Sequence, residues 1–338
     1  MKLGDEVDTK LKLYRARILQ RPSKRNRSPF VADAVLLDTD IINKVLVHVP
    51  SMDMGGKCVA GAEVLVKPAL TRKGLLVGAE AVGKYGTPKC EFIAQLLKVR
   101  EPENEDLSGG KGVWVGAHPS LGEKIVETMV RNGLLDSDLP GGKVVSYRRE
   151  VRNVAGTNMR CDFLITHEDG SLTILEVKTV VDTDYNAETA PERKKCVFLG
   201  KASGKDYRRA GIFPWGHAKQ KGPDGEVVVS SRAIKHVDEL AAVAQGKYLG
   251  DDGCKLNAAI VFVVVREDVE TFRPNEEACE SFVRHLKIAQ DSGVKLLAHR
   301  ISWKTGSIKN EEDRSTVSSS LRHSLVHAHW DGPISIEI

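Results

Sequence analysis

The stretch Asp162-Phe163-Leu164-Ile165-Thr166, the turn His167-Glu168-Asp169-Gly170, and then Leu172-Thr173-Ile174-Leu175-Glu176-Val177-Lys178 decides the reading of this chain. It reads as two strands and a reversal. Glu176 and Lys178 are two residues apart on a strand, so they share a face. Asp162 lies on the preceding strand. Two acids directly opposite one another would have Cβ atoms about 4.5–5.5 Å apart. That spacing suits a shared Mg²⁺ (or Mn²⁺), which takes oxygen ligands. Lys178 beside such an ion can orient a water or stabilise charge on a phosphoryl group. The register sets a condition. A two-residue Asp169-Gly170 turn would pair Asp162 with Val177 and turn it away from Glu176. A shared ion therefore requires an odd-length loop or a bulge.

Working outward, a helix is expected over about 120–132, with Leu121, Ile125, Val126, Met129 and Val130 at helical spacing and Gly133 ending it. Glu123 and Glu127 sit one turn apart on it, and Glu127 is the preferred third acid. Strands follow at 144–151, 161–166 and 171–181. Residues 182–229 carry no clear period and read as a long excursion. A second helix spans about 231–245, with Ile234, Val237, Leu240, Ala241 and Ala244 inward. Ala258–Val265 is a continuous Val-rich run, expected for a strand covered on both faces. A third helix is expected over 275–292, then a strand over 295–301. Residues 306–324 are polar and serine-rich, and are expected to be mobile.

Before this α/β region, residues 12–100 read as short strands punctuated by Gly, Pro, Asp and Asn: 13–19, 31–37, 44–49, 62–69, 74–82 and 92–99. Five or six strands in this length fit an OB-like barrel. The expected division is a tail over 1–11, the barrel domain over 12–100, a polar linker over 101–112 and an α/β domain with a mixed sheet over 113–338, bearing basic insertions at about 182–229. The fold class is α+β.

Composition narrows the function classes. No apolar run is long enough to span a bilayer. The start, Met1-Lys2-Leu3-Gly4-Asp5-Glu6, has no apolar signal-peptide core. The six cysteines are scattered without a Cys-x-x-Cys pair, which disfavours a structural zinc site or a disulfide framework. The expectation is a soluble, intracellular, cytoplasmic protein, with no membrane partner and an oligomeric state left open, a homodimer included. Net charge is only +4, but residues 9–32 hold eight Lys or Arg and no acid, and residues 186–221 hold nine against three acids. Such local excess suits a polyanion. Arg232, Lys235 and Glu239 fall on the helix face opposite Ile234 and Val237.

Short motifs in order resemble one family. Tyr147-Arg-Arg149-Glu150-Val151, Arg160-Cys-Asp162-Phe-Leu and Glu176-Val-Lys178-Thr-Val look like the sugar fermentation stimulation protein family. Asn26-Arg27…Phe30-Val-Ala-Asp33 and His48-Val-Pro50-Ser51 sit where that family's OB domain has similar segments. Phe213-Pro214, Arg232-Ala-Ile-Lys235-His236 and Phe262-Val-Val-Val-Arg266-Glu-Asp268 follow in order. The departures are Ser51, Trp215 and Ala233, and the longer spacing between Lys178 and Phe213.

The resemblance implies an OB fold, a PD-(D/E)XK nuclease-like domain and DNA binding. On this reading Asp162, Glu176 and Glu127 hold Mg²⁺ or Mn²⁺, and Lys178 positions the nucleophile. Arg25, Arg27, His48, Arg149, Arg160, Arg232, Lys235 and His236 contact nucleic acid, expected to be DNA. The alternative is a non-catalytic DNA-binding regulator that keeps the nuclease fold, since fold alone does not establish activity.

Overall fold

The computed structural model describes residues 6–38, 43–50, 56–192, 196–250, 253–307 and 323–338. The chain forms two compact units. The first comprises Met1–Leu121, Arg266–Asp268 and Ser302–Trp330; the second comprises Gly122–Val265, Val269–Ile301 and Asp331–Ile338.

The first unit is built on five strands: β1 (Glu6–Gln20), β2 (Val31–Leu36), β3 (Lys44–His48), β4 (Glu63–Pro68) and β5 (Phe92–Val99). Their pairings run β1–β2–β3–β5–β4 and return to β1, which closes the barrel. Only the β3–β5 step is parallel. Alternating apolar residues such as Ala32, Ala34, Val45, Val47, Val64 and Val66 are buried, as a closed small barrel requires. This is an OB-like barrel. A further strand, β6 (Val113–Gly116), pairs with β5.

Three sequence expectations change here. Residues 6–11, read as a tail, belong to β1, and part of that strand pairs with β17 (Ser324–Pro333). Residues 74–82, read as a strand, form turns with isolated bridges Leu70–Leu76 and Val82–Pro88. Gly74 at its start and Gly86 just beyond it have positive φ, a conformation that favours turns over strands. Residues 101–112, read as a linker, form a 3-10 turn and the short helix α1 (Glu105–Ser108).

The cause of this last change is buried charge. Arg266 is fully buried and donates to Asp268 Oδ1 at 2.7 Å, Asp268 Oδ2 at 2.7 Å and Glu101 Oε2 at 3.3 Å. Asn104 donates to Asp268 Oδ2 at 2.9 Å. A guanidinium inside a protein requires such partners, and they tie the segment down. The expected mobile segment falls largely on 308–322, outside the described residues.

The second unit has a mixed sheet of β7 (Val144–Arg152), β8 (Arg160–His167), β9 (Leu172–Val180), β14 (Leu256–Val264) and the start of β16 (Lys295–Ser307). The first two steps are antiparallel and the last two parallel. Every residue of β14 is buried, as its Val-rich run implied. One face, with Ile174, Val180, Ile260, Phe262 and Val264, packs on α3 (Ser231–Ala244) and α4 (Glu280–Asp291). The other face receives α2 (Ser120–Arg131), where Gly122 lies so close to Thr179 that a Cβ would collide with it.

Helix α3 begins where Ser230 accepts from Ala233 N, an N-cap, and Gly246 follows it at φ +74°. Helix α4 starts later than expected. Asn275 accepts from Ala278 N in a local turn, which competes with helix over 275–279.

The excursion over 182–229 holds short strands: β10 (Asp182–Thr183), β11 (Ala210–Phe213), and the hairpin β12 (Gln220–Lys221) with β13 (Val227–Val228). Strands β10 and β11 join β15 (Thr271–Pro274) and β18 (Ser335–Ile336) in a small second sheet. Among the described residues, no helix is long and apolar enough to cross a membrane.

Candidate metal centre

The β8–β9 hairpin turns through Glu168, Asp169 and Gly170. His167 N donates to Ser171 O at 3.0 Å and Gly170 N to His167 O at 3.1 Å. Gly170 takes φ +81°, and Asp169 Oδ1 accepts from Ser171 N at 2.8 Å. A three-residue loop with glycine at the left-handed position is a standard hairpin closure. Its odd length sets the register Phe163–Leu175, Leu164–Ile174, Ile165–Thr173 and Thr166–Leu172. Carried one step further, this register sets Asp162 opposite Glu176.

There the ladder opens. Val177 N donates to Asp162 Oδ2 at 2.7 Å, in the place where the ladder's next backbone acceptor would stand. Burial, and then the charge of Glu176, push the Asp162 carboxyl up to about 6. Glu176 is 3% exposed. Its Oε1 accepts from Lys178 Nζ at 2.5 Å and from His236 Nδ1 at 2.5 Å. Burial opposes ionisation of Glu176, but His236 and Lys178 outweigh it, and its pKa is lowered. Its Oε2 is buried without a hydrogen-bond partner.

Two further acids approach Asp162. Single carboxylate oxygens of Glu123, Glu150 and Asp162 lie within 4.8 Å of one another. Glu123 comes from the first turn of α2. Glu150 comes from β7, at a left-handed backbone position with φ +56°, and it is ion-paired with Arg160. Clustered carboxylates repel unless a cation joins them. Three close acids beside an unpartnered buried Glu176 oxygen therefore fit a divalent ion with oxygen ligands.

Glu127, the third acid expected from the sequence, is engaged elsewhere. Arg149 Nη1 donates to its Oε2 at 2.6 Å and Tyr147 Oη to its Oε1 at 3.2 Å. Arg149 also reaches Glu123 at 3.4 Å and lies over the Phe163 ring. It thus braces the acids, where the sequence suggested a contact with nucleic acid. Arg160, likewise expected on nucleic acid, is paired with Glu150.

His236, also expected on nucleic acid, buttresses Glu176. Arg232 Nε donates to His236 Nε2 at 3.4 Å, so the Nδ1 proton is the one given to Glu176. Arg232 and Lys235 are exposed and line, with His236, Gln220 and Tyr248, a cleft of about 780 Å³. In the first unit, Arg25 and Arg27 are exposed, with Arg25 Nε 3.5 Å from Asp33 Oδ1. His48 lies beside the Phe30 ring. The acid that sequence reasoning missed is Glu150. Its place within Tyr147-Arg-Arg149-Glu150-Val151 was visible, but its left-handed backbone was not.

A barrel of OB type and a mixed-sheet unit carrying an acidic cluster beside Glu176 and Lys178 define the class. Residues 223–307 match the family profile described as "Sugar fermentation stimulation protein RE domain", which covers α3 and β14 and excludes Asp162 to Lys178. A sugar fermentation stimulation protein homolog of Maricaulis maris is 29% identical over 194 residues, 57% of this chain and 63% of that relative. The match thus spans under two thirds of that relative's length. A homolog of Clostridium perfringens is 25% identical over 289 residues, 85% of this chain and 89% of the relative. The solved SfsA of Pyrococcus furiosus, in complex with Ca²⁺, shares the fold with a TM-score of 0.55 at 18% identity, covering 100% of both chains. The chain is thus similar to the sugar fermentation stimulation protein family in sequence and in fold.

Proposed function

We propose that this protein is a metal-dependent nuclease acting on DNA. The observation that carries this reading is the meeting of Glu123, Glu150 and Asp162 beside Glu176, whose Oε2 is buried and unpartnered. These residues would hold Mg²⁺ or Mn²⁺. The Ca²⁺ bound by the Pyrococcus furiosus relative, itself an oxygen-seeking cation, supports a divalent ion. When bound, such an ion supplies Lewis acidity toward a phosphoryl oxygen and a more acidic bound water.

The chain's own groups do the rest. Lys178, held by Glu176, would place a positive charge beside a pentacoordinate phosphoryl group as it gathers negative charge, and such charge is stabilised best by preorganised groups. His236 fixes the Glu176 carboxylate through Oε1 and leaves Oε2 for the ion. Arg232 and Lys235 line the adjoining cleft and offer cationic contacts to a phosphate backbone. The barrel unit, for its part, exposes Arg25 and Arg27.

The test is cleavage of single-stranded, duplex and branched DNA with Mg²⁺ or Mn²⁺, with Glu176→Ala as control. Wild-type cleavage lost in the variant is the expected outcome. Metal-independent binding with no cleavage on any substrate would replace this reading with that of a DNA-binding regulator.

A further inference from the structure

We infer that the second unit carries a distinct transition-metal site, formed by Asp224, Glu226 and His285, that takes Zn²⁺ or a similar divalent ion. Single ligand atoms of these three side chains lie within 4.8 Å of one another. Asp224 and Glu226 sit on the turn of the β12–β13 hairpin, where Gly222 N donates to Glu226 O at 2.8 Å and Gly225 takes φ +87°. His285 lies on α4, one turn after Ser281. Ser281 Oγ donates to Glu226 Oε1 at 2.5 Å, which leaves Glu226 Oε2 buried and without a partner.

The state of the imidazole singles this cluster out. His285 Nδ1 lies 2.5 Å from Asp238 Oδ1 on α3, so Nδ1 carries a proton and gives it to that carboxylate. Nε2 is buried and without a hydrogen-bond partner, and in the neutral imidazole it is a lone pair free to bind a metal. It faces Asp224 Oδ2 at 3.6 Å, too far for a hydrogen bond. Acceptors facing one another at that distance repel unless a cation lies between them. Two ligands about 2.1 Å from a tetrahedral ion stand about 3.4 Å apart, close to the separation seen.

A carboxylate on the far nitrogen of a ligating histidine is the usual outer support of a zinc ligand, and Asp238 fills that place. One imidazole with two carboxylates suits Zn²⁺ and its neighbours better than Mg²⁺. Arg284 pairs with Asp224 Oδ2 at 2.5 Å and leaves both orphaned atoms unmet. The ion would clip the hairpin to α4. Gln220 of the same hairpin lines the cleft beside His236 and accepts from Ser231 N at 3.0 Å, so loading would order one wall of that cleft.

The test uses the full chain stripped with EDTA and titrated with ZnCl₂ alone by calorimetry, with X-ray absorption of the Co²⁺-loaded protein. Wild type should take up one more equivalent than either His285→Gln or Glu226→Gln, and its absorption should contain an imidazole nitrogen that Glu226→Gln weakens. Zn²⁺ should raise the wild-type Tm more than that of either variant. Asp238→Asn should keep the site with affinity lowered about 10–100-fold. If His285→Gln fails to fold, Glu226→Gln on the hairpin turn and the wild-type absorption decide. Equal stoichiometry in wild type and Glu226→Gln, or a Co²⁺ shell of oxygen alone, would overturn the proposal.

Discussion

Asp162 and Glu176 stand opposite one another because the loop between His167 and Ser171 holds three residues, 168–170. A two-residue loop would have set Asp162 against Val177, on the other face. Deleting Thr166 from β8, with that loop kept, should therefore move Asp162 one place along the ladder, against Leu175, and break the pairing of acids. The expected outcome is at least a tenfold loss of Mn²⁺ affinity, the scale seen when a ligand's support is removed (about 10–100-fold). Calorimetry at fixed pH checks it, with circular dichroism to confirm that the second unit still folds.

His236 should act on the acid cluster through Glu176. Removing it leaves Oε1 with Lys178 alone. His236→Ala should weaken Mn²⁺ binding by about 10–100-fold, while Lys235→Ala, an exposed cleft residue, should leave it unchanged. Parallel titrations of the two variants separate these roles.

Metal-free stability should depend on pH through Asp162. Its folded carboxyl titrates at about 6, above its ordinary value of 3.8, because of burial and Glu176. The folded state thus holds a proton that the unfolded state has released between these values. This contribution is present below about pH 4 and lost as pH rises through about 6. In EDTA, Asp162→Asn should be more stable than wild type at pH 7, by up to about 3 kcal/mol. The two should converge near pH 4. Urea melts across that range check the sign. A larger advantage at acid pH would refute it.

The buried pair in the first unit should be costly to break. Asp268→Ala removes the two carboxylate oxygens that the fully buried Arg266 guanidinium reaches at 2.7 Å, and leaves Glu101 Oε2 at 3.3 Å. A loss of about 3–5 kcal/mol is expected, read from the urea midpoint of the barrel unit. A change below about 0.5 kcal/mol, typical of a surface site, would show that water reaches Arg266.

Much of this was legible in the sequence where period and chemistry agree. The buried run over 258–265, helix α3, and the Asp162…Glu176-Val-Lys178 pattern all read directly. What escaped depends on backbone detail or on partners distant in sequence. Glu123 and Glu127 share one helix face, and nothing local says which one Arg149 will claim. Glu150 reaches Asp162 through a left-handed residue, for which Glu shows no preference. The helical start at 101–108 is set by Arg266, more than 150 residues away. The run over 74–82 looked like a strand by hydrophobicity, and its glycines turned it into loops.

On the proposed function, Lys178 and the acids beside it serve the transition state of phosphodiester cleavage, while the exposed basic groups serve binding. The most direct measurement is single-turnover cleavage with Mn²⁺, together with equilibrium affinity, on one oligonucleotide for wild type and Lys178→Ala. The account predicts a cleavage rate lowered about 10²–10³-fold, the scale for losing one preorganised stabilising group, with affinity nearly unchanged. Wild-type inactivity with both Mg²⁺ and Mn²⁺ across single-stranded, duplex and branched substrates, or a Lys178→Ala variant as fast as wild type, would contradict it.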